Sequence, residues 1–254
     1  MMGALGLGDA DVALVERVPP SGRRTAATAT GRRPRPSSTR RIEGAGSRQA
    51  RRGLPSHEAG EKDDAGKASG AKLADAARAY SADRYQDALR ILRKLSPQSP
   101  NSAAVKELLG LTLYRLGRWP LAVRELQAHH ELSGSYDQFP VIADSYRAMR
   151  RYADADAVWA ELRQASPSTE VIAEGRLVAA GSLADQGDLR GAVKLLEGSL
   201  RRSRPKASHL REWYALADLY ERAGELPRAR DIFARIAAVD PDAYDVRQRL
   251  VALG

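Results

Sequence analysis

The chain contains no cysteine. That absence removes disulfides, zinc–thiolate sites and thiol catalysis together, and it suits a reducing compartment. Long apolar runs are missing as well. No stretch of about 18 apolar residues occurs, so the sequence predicts no membrane-spanning helix. The N-terminus carries Asp9, Asp11 and Glu16 and lacks a basic opening segment, which argues against a secretory leader. These features predict a cytoplasmic protein without membrane insertion. Aromatic residues are few, with two Phe, three Trp and nine Tyr, so a core must rest on Leu, Ala, Val, Tyr and Trp. Asparagine occurs once, at Asn101, and Arg outnumbers Lys 34 to 7. Both biases point to a GC-rich, bacterial genome.

Motifs for chemistry are also missing. The four histidines are His57, His129, His130 and His209. Adjacent on a helix, His129 and His130 point in different directions and do not share a metal, and no H-E-x-x-H occurs. Gly44-Ala45-Gly46 is followed by Gln49 where a dinucleotide loop needs glycine. No G-x-S-x-G and no phosphate-binding lysine loop is present. The sequence therefore predicts no enzyme, no cofactor and no metal site.

Charge is unevenly spread. Residues 21–55 hold ten arginines and one acid, Glu43, while the remainder balances 31 basic against 31 acidic residues. Residues 1–68 are poor in large apolar groups and rich in Gly, Pro, Ser and Arg, which predicts a disordered tail. A basic arm for nucleic acid or the ribosome is one reading of the tail, and coding bias is another. A third is a native start downstream of Met1, with part of the tail untranslated. No aromatic lies among the arginines to stack on bases, since none occurs from Met1 to Ala79.

What the chain does have is a period. Tyr85-Gln86-Asp87-Ala88, Trp119-Pro120-Leu121-Ala122, Tyr152-Ala153-Asp154-Ala155, Leu189-Arg190-Gly191-Ala192 and Leu226-Pro227-Arg228-Ala229 repeat one pattern. Their alanines are 34, 33, 37 and 37 residues apart. Periods of this size signal stacked helical units. Small slots precede each alanine at Ala76, Gly110, Ala143, Ala180 and Ala217, and large residues follow at Leu92, Leu126, Trp159, Leu196 and Phe233. Gly117, Gly187 and Gly224 sit where first helices end. Pro120 and Pro227 open second helices, and Pro100, Pro167 and Pro241 close repeats. The first and fourth repeats depart from the pattern, and His129 and Ser199 stand where the other repeats have Leu95, Leu162 and Ile236.

The fifth repeat, with Trp213, Leu216, Ala217, Tyr220, Ala229, Phe233 and Pro241, resembles the tetratricopeptide repeat, W-x2-L-G-x2-Y then A-x3-F then P. The resemblance spans roughly residues 69–242. It implies an all-α, right-handed solenoid of about five helix-turn-helix repeats, at 69–102, 103–135, 136–172, 173–209 and 210–242, with a capping helix at 243–253. The chain as a whole is similar to the small stand-alone proteins of this family in GC-rich bacteria.

In that family the first helices line a concave groove for a peptide or partner helix. Carried over by position, the resemblance implies a face of Leu73, Ala77 and Tyr80, then Glu107, Leu111, Tyr114 and Arg115, then Asp137, Asp144 and Arg147. Glu174, Leu177 and Gly181 follow, and Arg211, Tyr214, Asp218, Glu221 and Arg222 complete it. The lysine-and-asparagine carboxylate clamp of some members is absent, since its slots hold Leu73, Ala77, Leu108, Asp137 and Val141. The tyrosines suit a binding surface, although Tyr80 and Tyr114 also suit packing against a second helix. The acids suit either a solvated helical face or a groove for a basic or mixed peptide, the chain's own arginine segment included.

The favoured function is a non-enzymatic protein-interaction scaffold of unnamed partner. The alternatives are a nucleic-acid- or ribosome-associated factor working through the tail, and a non-catalytic subunit assisting an enzyme. The register makes a direct prediction. Leucine at Ala122, Ala155 or Ala229 overpacks a helix crossing by roughly 1–3 kcal/mol. Thermal melting of Ala229→Leu is expected to fall accordingly, and an unchanged curve would refute the register.

Overall fold

The structure, a computed structural model, describes residues 57–201 and 207–254. The described residues belong to one compact unit, His57–Gly254. The arginine-rich segment and the expectation of disorder over residues 1–56 lie outside them. Within the unit the chain forms α1 (His57–Ser81), α2 (Tyr85–Leu95), α3 (Ala103–Arg115), α4 (Trp119–Ser133), α5 (Phe139–Ala148) and α6 (Tyr152–Ala165). It continues with α7 (Thr169–Asp185), α8 (Leu189–Glu197), α9 (Ala207–Arg222), α10 (Leu226–Val239) and α11 (Val246–Ala252). No strand occurs among the described residues. The first helix starts at His57, inside the stretch assigned to the tail.

These helices make five hairpins, α1/α2 through α9/α10, stacked as a solenoid, with α11 closing the end against α10. Each second helix also packs against the first helix of the next repeat. All five anchor alanines are buried at the crossings, Ala88, Ala122, Ala192 and Ala229 completely. So are the facing small slots Ala76, Ala143, Ala180 and Ala217. A methyl group placed on Gly110 would stand 2.6 Å from Leu126 Cγ and Cδ2, and Leu126 is fully buried with nowhere to move.

Every first helix ends the same way. A residue with positive φ stands at Asp83, Gly117, Arg150, Gly187 and Gly224. After it, the N–H of the next residue returns to a carbonyl five positions back: Arg84 to Ala79, Arg118 to Leu113, Arg151 to Tyr146, Asp188 to Leu183 and Glu225 to Tyr220. This double closure is the Schellman arrangement. Glycine was legible at three of the five positions. At Asp83 and Arg150 side-chain-bearing residues carry the same strain, with φ of 56° at each.

The sequence departures have local explanations. His129, buried, places Nδ1 3.0 Å from the carbonyl of Ala103, tying the end of α4 to the start of α3. In the fourth repeat α8 stops at Glu197 and a 3₁₀ turn, Gly198–Arg201, follows. Trp213 Nε1 donates to the Ser199 carbonyl there at 3.1 Å. The capping segment is shorter than expected. Val246 is fully buried, but Tyr244 and Val251 face outward, Val251 at 83% exposure.

Two glycine substitutions separate backbone from steric cost. Gly187 has φ of 87° and open space around a new methyl, so Gly187→Ala is expected to cost about 1–2 kcal/mol from the backbone alone. Gly110→Ala is expected to cost about 1–3 kcal/mol from overpacking. Urea unfolding measures both. Truncating Leu126 to Ala should relieve only the Gly110 variant, so rescue of Gly187→Ala would refute the distinction.

Candidate protein-interaction surface

The face proposed from the sequence is built by α1, α3, α5, α7 and α9, which meet one another from repeat to repeat. Spacings of three, four and seven residues put Leu73, Ala77 and Tyr80 on one side of α1 and Glu107, Leu111 and Tyr114 on one side of α3. Leu73, Tyr80, Leu111 and Tyr114 are half-buried against the core. Leu177 and Tyr214 are buried and serve as packing, whereas Asp137 is exposed.

Most charges on this face are bound to one another across repeats. Tyr114 Oη donates to Asp144 Oδ2 at 2.5 Å. Arg147 bridges Asp144 at 3.1 Å and Asp185 at 2.7 Å. Its guanidinium lies over Gly181, with Cζ 3.0 Å from the place of a Cβ, so that glycine provides the seat. Arg211 reaches Glu174 at 2.5 Å, and Arg176 pairs with the fully buried Glu212. Arg249 of the capping helix binds Asp218 at 2.5 Å and Glu221 at 3.5 Å. Tyr214 Oη donates to Asp245 Oδ1 at 2.5 Å. These contacts join first helices, or the last first helix to the cap, as struts.

The first repeat is held differently. Arg115 lies over the Tyr85 ring at 4.5 Å and pairs with Asp83 at 3.7 Å. Tyr80 meets Tyr85 edge-on at 5.4 Å. Between α4 and α5 the rings of His130, Tyr136 and Phe139 cluster with centroids 4.6–4.9 Å apart. Gln138, at the start of α5, donates Nε2–H to Glu107 Oε1 at 2.8 Å.

Sequence reasoning assigned acids and tyrosines to this face but missed their partners Gln138, Asp185, Asp245 and Arg249. A signal for them existed. Opposite charges stand roughly one period apart, 38 residues for Arg147 and Asp185, 37 for Glu174 and Arg211, and 31 for Asp218 and Arg249. Among the described residues no cluster of His, Asp or Glu could hold a metal ion, and no helix is long and apolar enough to cross a membrane.

Sequence profiles of the tetratricopeptide repeat match residues 73–135 and residues 210–253. Solved structures share the architecture. A thermophilic TPR protein of Thermus thermophilus has a TM-score of 0.58 at 20% identity, covering 73% of this chain and 98% of that one. PilF of Pseudomonas aeruginosa has a TM-score of 0.55 at 17% identity, covering 75% and 90%. The C-terminal part of a TPR repeat-containing protein from Cytophaga hutchinsonii has 0.54 at 14%, covering 71% and 69%. At such identities the likeness is one of fold. No curated protein matches the chain in sequence.

The struts predict an alkaline weakness. Burial first, and then the carboxylates of Asp144 and Asp245, raise the phenols of Tyr114 and Tyr214 above their ordinary value of 10.0. Burial, then Glu197, pushes Tyr220 up to about 12. The unfolded chain therefore loses phenolic protons before the folded one does. This contribution to stability is full below pH 10.0 and is lost as pH rises toward about 12. The urea midpoint is expected to hold up to about pH 10 and to fall between about pH 10 and about pH 12. Tyr114→Phe and Tyr214→Phe should each cost about 1 kcal/mol at neutral pH yet show a shallower alkaline loss. An equally steep loss in both variants would refute the assignment.

Proposed function

We propose that this chain, a tetratricopeptide-repeat protein, is a non-enzymatic scaffold that receives a peptide or a partner helix on the face of its first helices. Tetratricopeptide repeats generally mediate protein–protein contacts, and proteins of this fold are generally non-catalytic. The observation that carries the proposal is the state of that face. Most of its ionic groups are already paired across repeats, while apolar side chains remain half-open between them. A surface whose side chains are fixed before binding loses little rotamer entropy on association.

The test is selection of peptide ligands from a random display library against the full chain. Affinity should fall about tenfold on Tyr80→Ala or Leu73→Ala, as for contacts central to an interface. Changes on the outward sides of second helices, such as Leu121→Ser and Asp156→Asn, should leave it unchanged. Binders that respond only to the outward changes would overturn the proposal. Binders that ignore both sets and weaken steeply with salt would assign binding to the arginine-rich segment instead.

A further inference from the structure

The inner face is not uniform along the solenoid. From α5 onward its first helices close on one another. Helix α5 makes broad contact with α7 and α7 a smaller one with α9, whereas α1 and α3, and α3 and α5, touch at few points. The closed part is also the ionic part, spanned by Arg147 to Asp185, Arg211 to Glu174 and Arg249 to Asp218. A ligand entering there would have to displace partly buried ion pairs, and breaking such pairs is strongly unfavourable.

The open part has the opposite chemistry. Leu73, Ala77, Tyr80 and Leu111 give it a half-exposed apolar strip. Its acids also differ from those farther along. Among the described residues, Glu107 accepts only from the neutral amide of Gln138, at 2.8 Å. Asp137, the neighbour of Gln138 in sequence, is exposed, and no cation among the described residues pairs with it. Where Asp144, Glu174 and Asp218 each face an arginine, these two carboxylates face no cation among the described residues.

We infer that the ligand seat of this protein lies in the N-terminal half of the inner face, between α1, α3 and the start of α5. Its occupant is a segment of another protein that carries an apolar anchor next to an arginine or lysine. The apolar side chain covers the strip around Leu111, where it releases water at no cost in broken pairs. The basic group meets Glu107 and Asp137, and an arginine fork fits a carboxylate in a bidentate way. This inference rests on the inner-face reading above and narrows it to one half and one ligand chemistry.

Two short fluorescein-labelled peptides test it by anisotropy with the full chain. One is built from leucine and arginine in a Ser/Gly background, and the other has each arginine replaced by glutamate. The leucine–arginine peptide is expected to bind and the leucine–glutamate peptide to fail. The paired isosteric change Glu107→Gln with Asp137→Asn should weaken binding about tenfold and flatten its salt dependence. Leu111→Ala should weaken the leucine–arginine peptide, and Arg222→Ser in the fifth repeat should do nothing. Thermal melting confirms that the isosteric variant is folded.

Equal binding by that variant, preference for the glutamate peptide, or no binding of either peptide overturns the inference. Loss of binding on Arg222→Ser moves the seat to the C-terminal half, which refutes this placement and leaves the inner-face reading standing. Binding indifferent to every inner-face change refutes both. A dimer in sedimentation that Leu111→Ala dissolves would make the occupant a second copy and also overturn the inference.

Discussion

The close approach of two helices over a pair of small side chains is the contact on which the rest of the structure depends. At each hairpin an alanine of the second helix faces an alanine or glycine of the first, with no room for a further methyl group where Gly110 meets Leu126. That distance sets how far each hairpin extends and where its large residues emerge. Leu92, Leu126, Leu196 and Phe233 are fully buried because the crossing points them into the neighbouring layer. The left-handed residue ending every first helix fixes the return angle, and so each hairpin repeats the geometry of the last. Successive first helices then fall on one side, and the inner face is a product of the crossings.

On that face electrostatics takes over from packing. Surface ion pairs contribute little to stability, but these are largely shielded and hold side chains that would otherwise sample many rotamers. Arg147 shows how closely the two levels are coupled. It reaches both Asp144 and Asp185 because Gly181 leaves the surface of α7 bare. A glycine placed by the sequence on the inner face here makes room for a charge.

The repeat, its hairpins and its buried faces were legible because they obey local rules. Small residues at a fixed offset, a glycine at a helix end and a proline in a first turn each act within one repeat. The positive-φ residues Asp83 and Arg150 were not legible, since nothing in their side chains announces the conformation. The position of the inner face was readable by family resemblance, but its state was not. Whether Asp144 is open to a ligand or tied to Tyr114 depends on the rotation between neighbouring repeats, which no single repeat encodes. The capping helix illustrates the same limit. Val246 and Val251 look alike in sequence, yet one is fully buried and the other stands in solvent.

The contrast between the closely laid α5 and α7 and the marginal contact of α1 with α3 has a mechanical meaning. Stiffness in a stacked chain of hairpins is the sum of its nearest-neighbour contacts, so compliance gathers where those contacts are thin. The third and fourth hairpins, held through both α5 with α7 and α6 with α7, form the stiffest junction of the stack. A molecule settling among the early helices would lie beside that junction and use it as its anchorage.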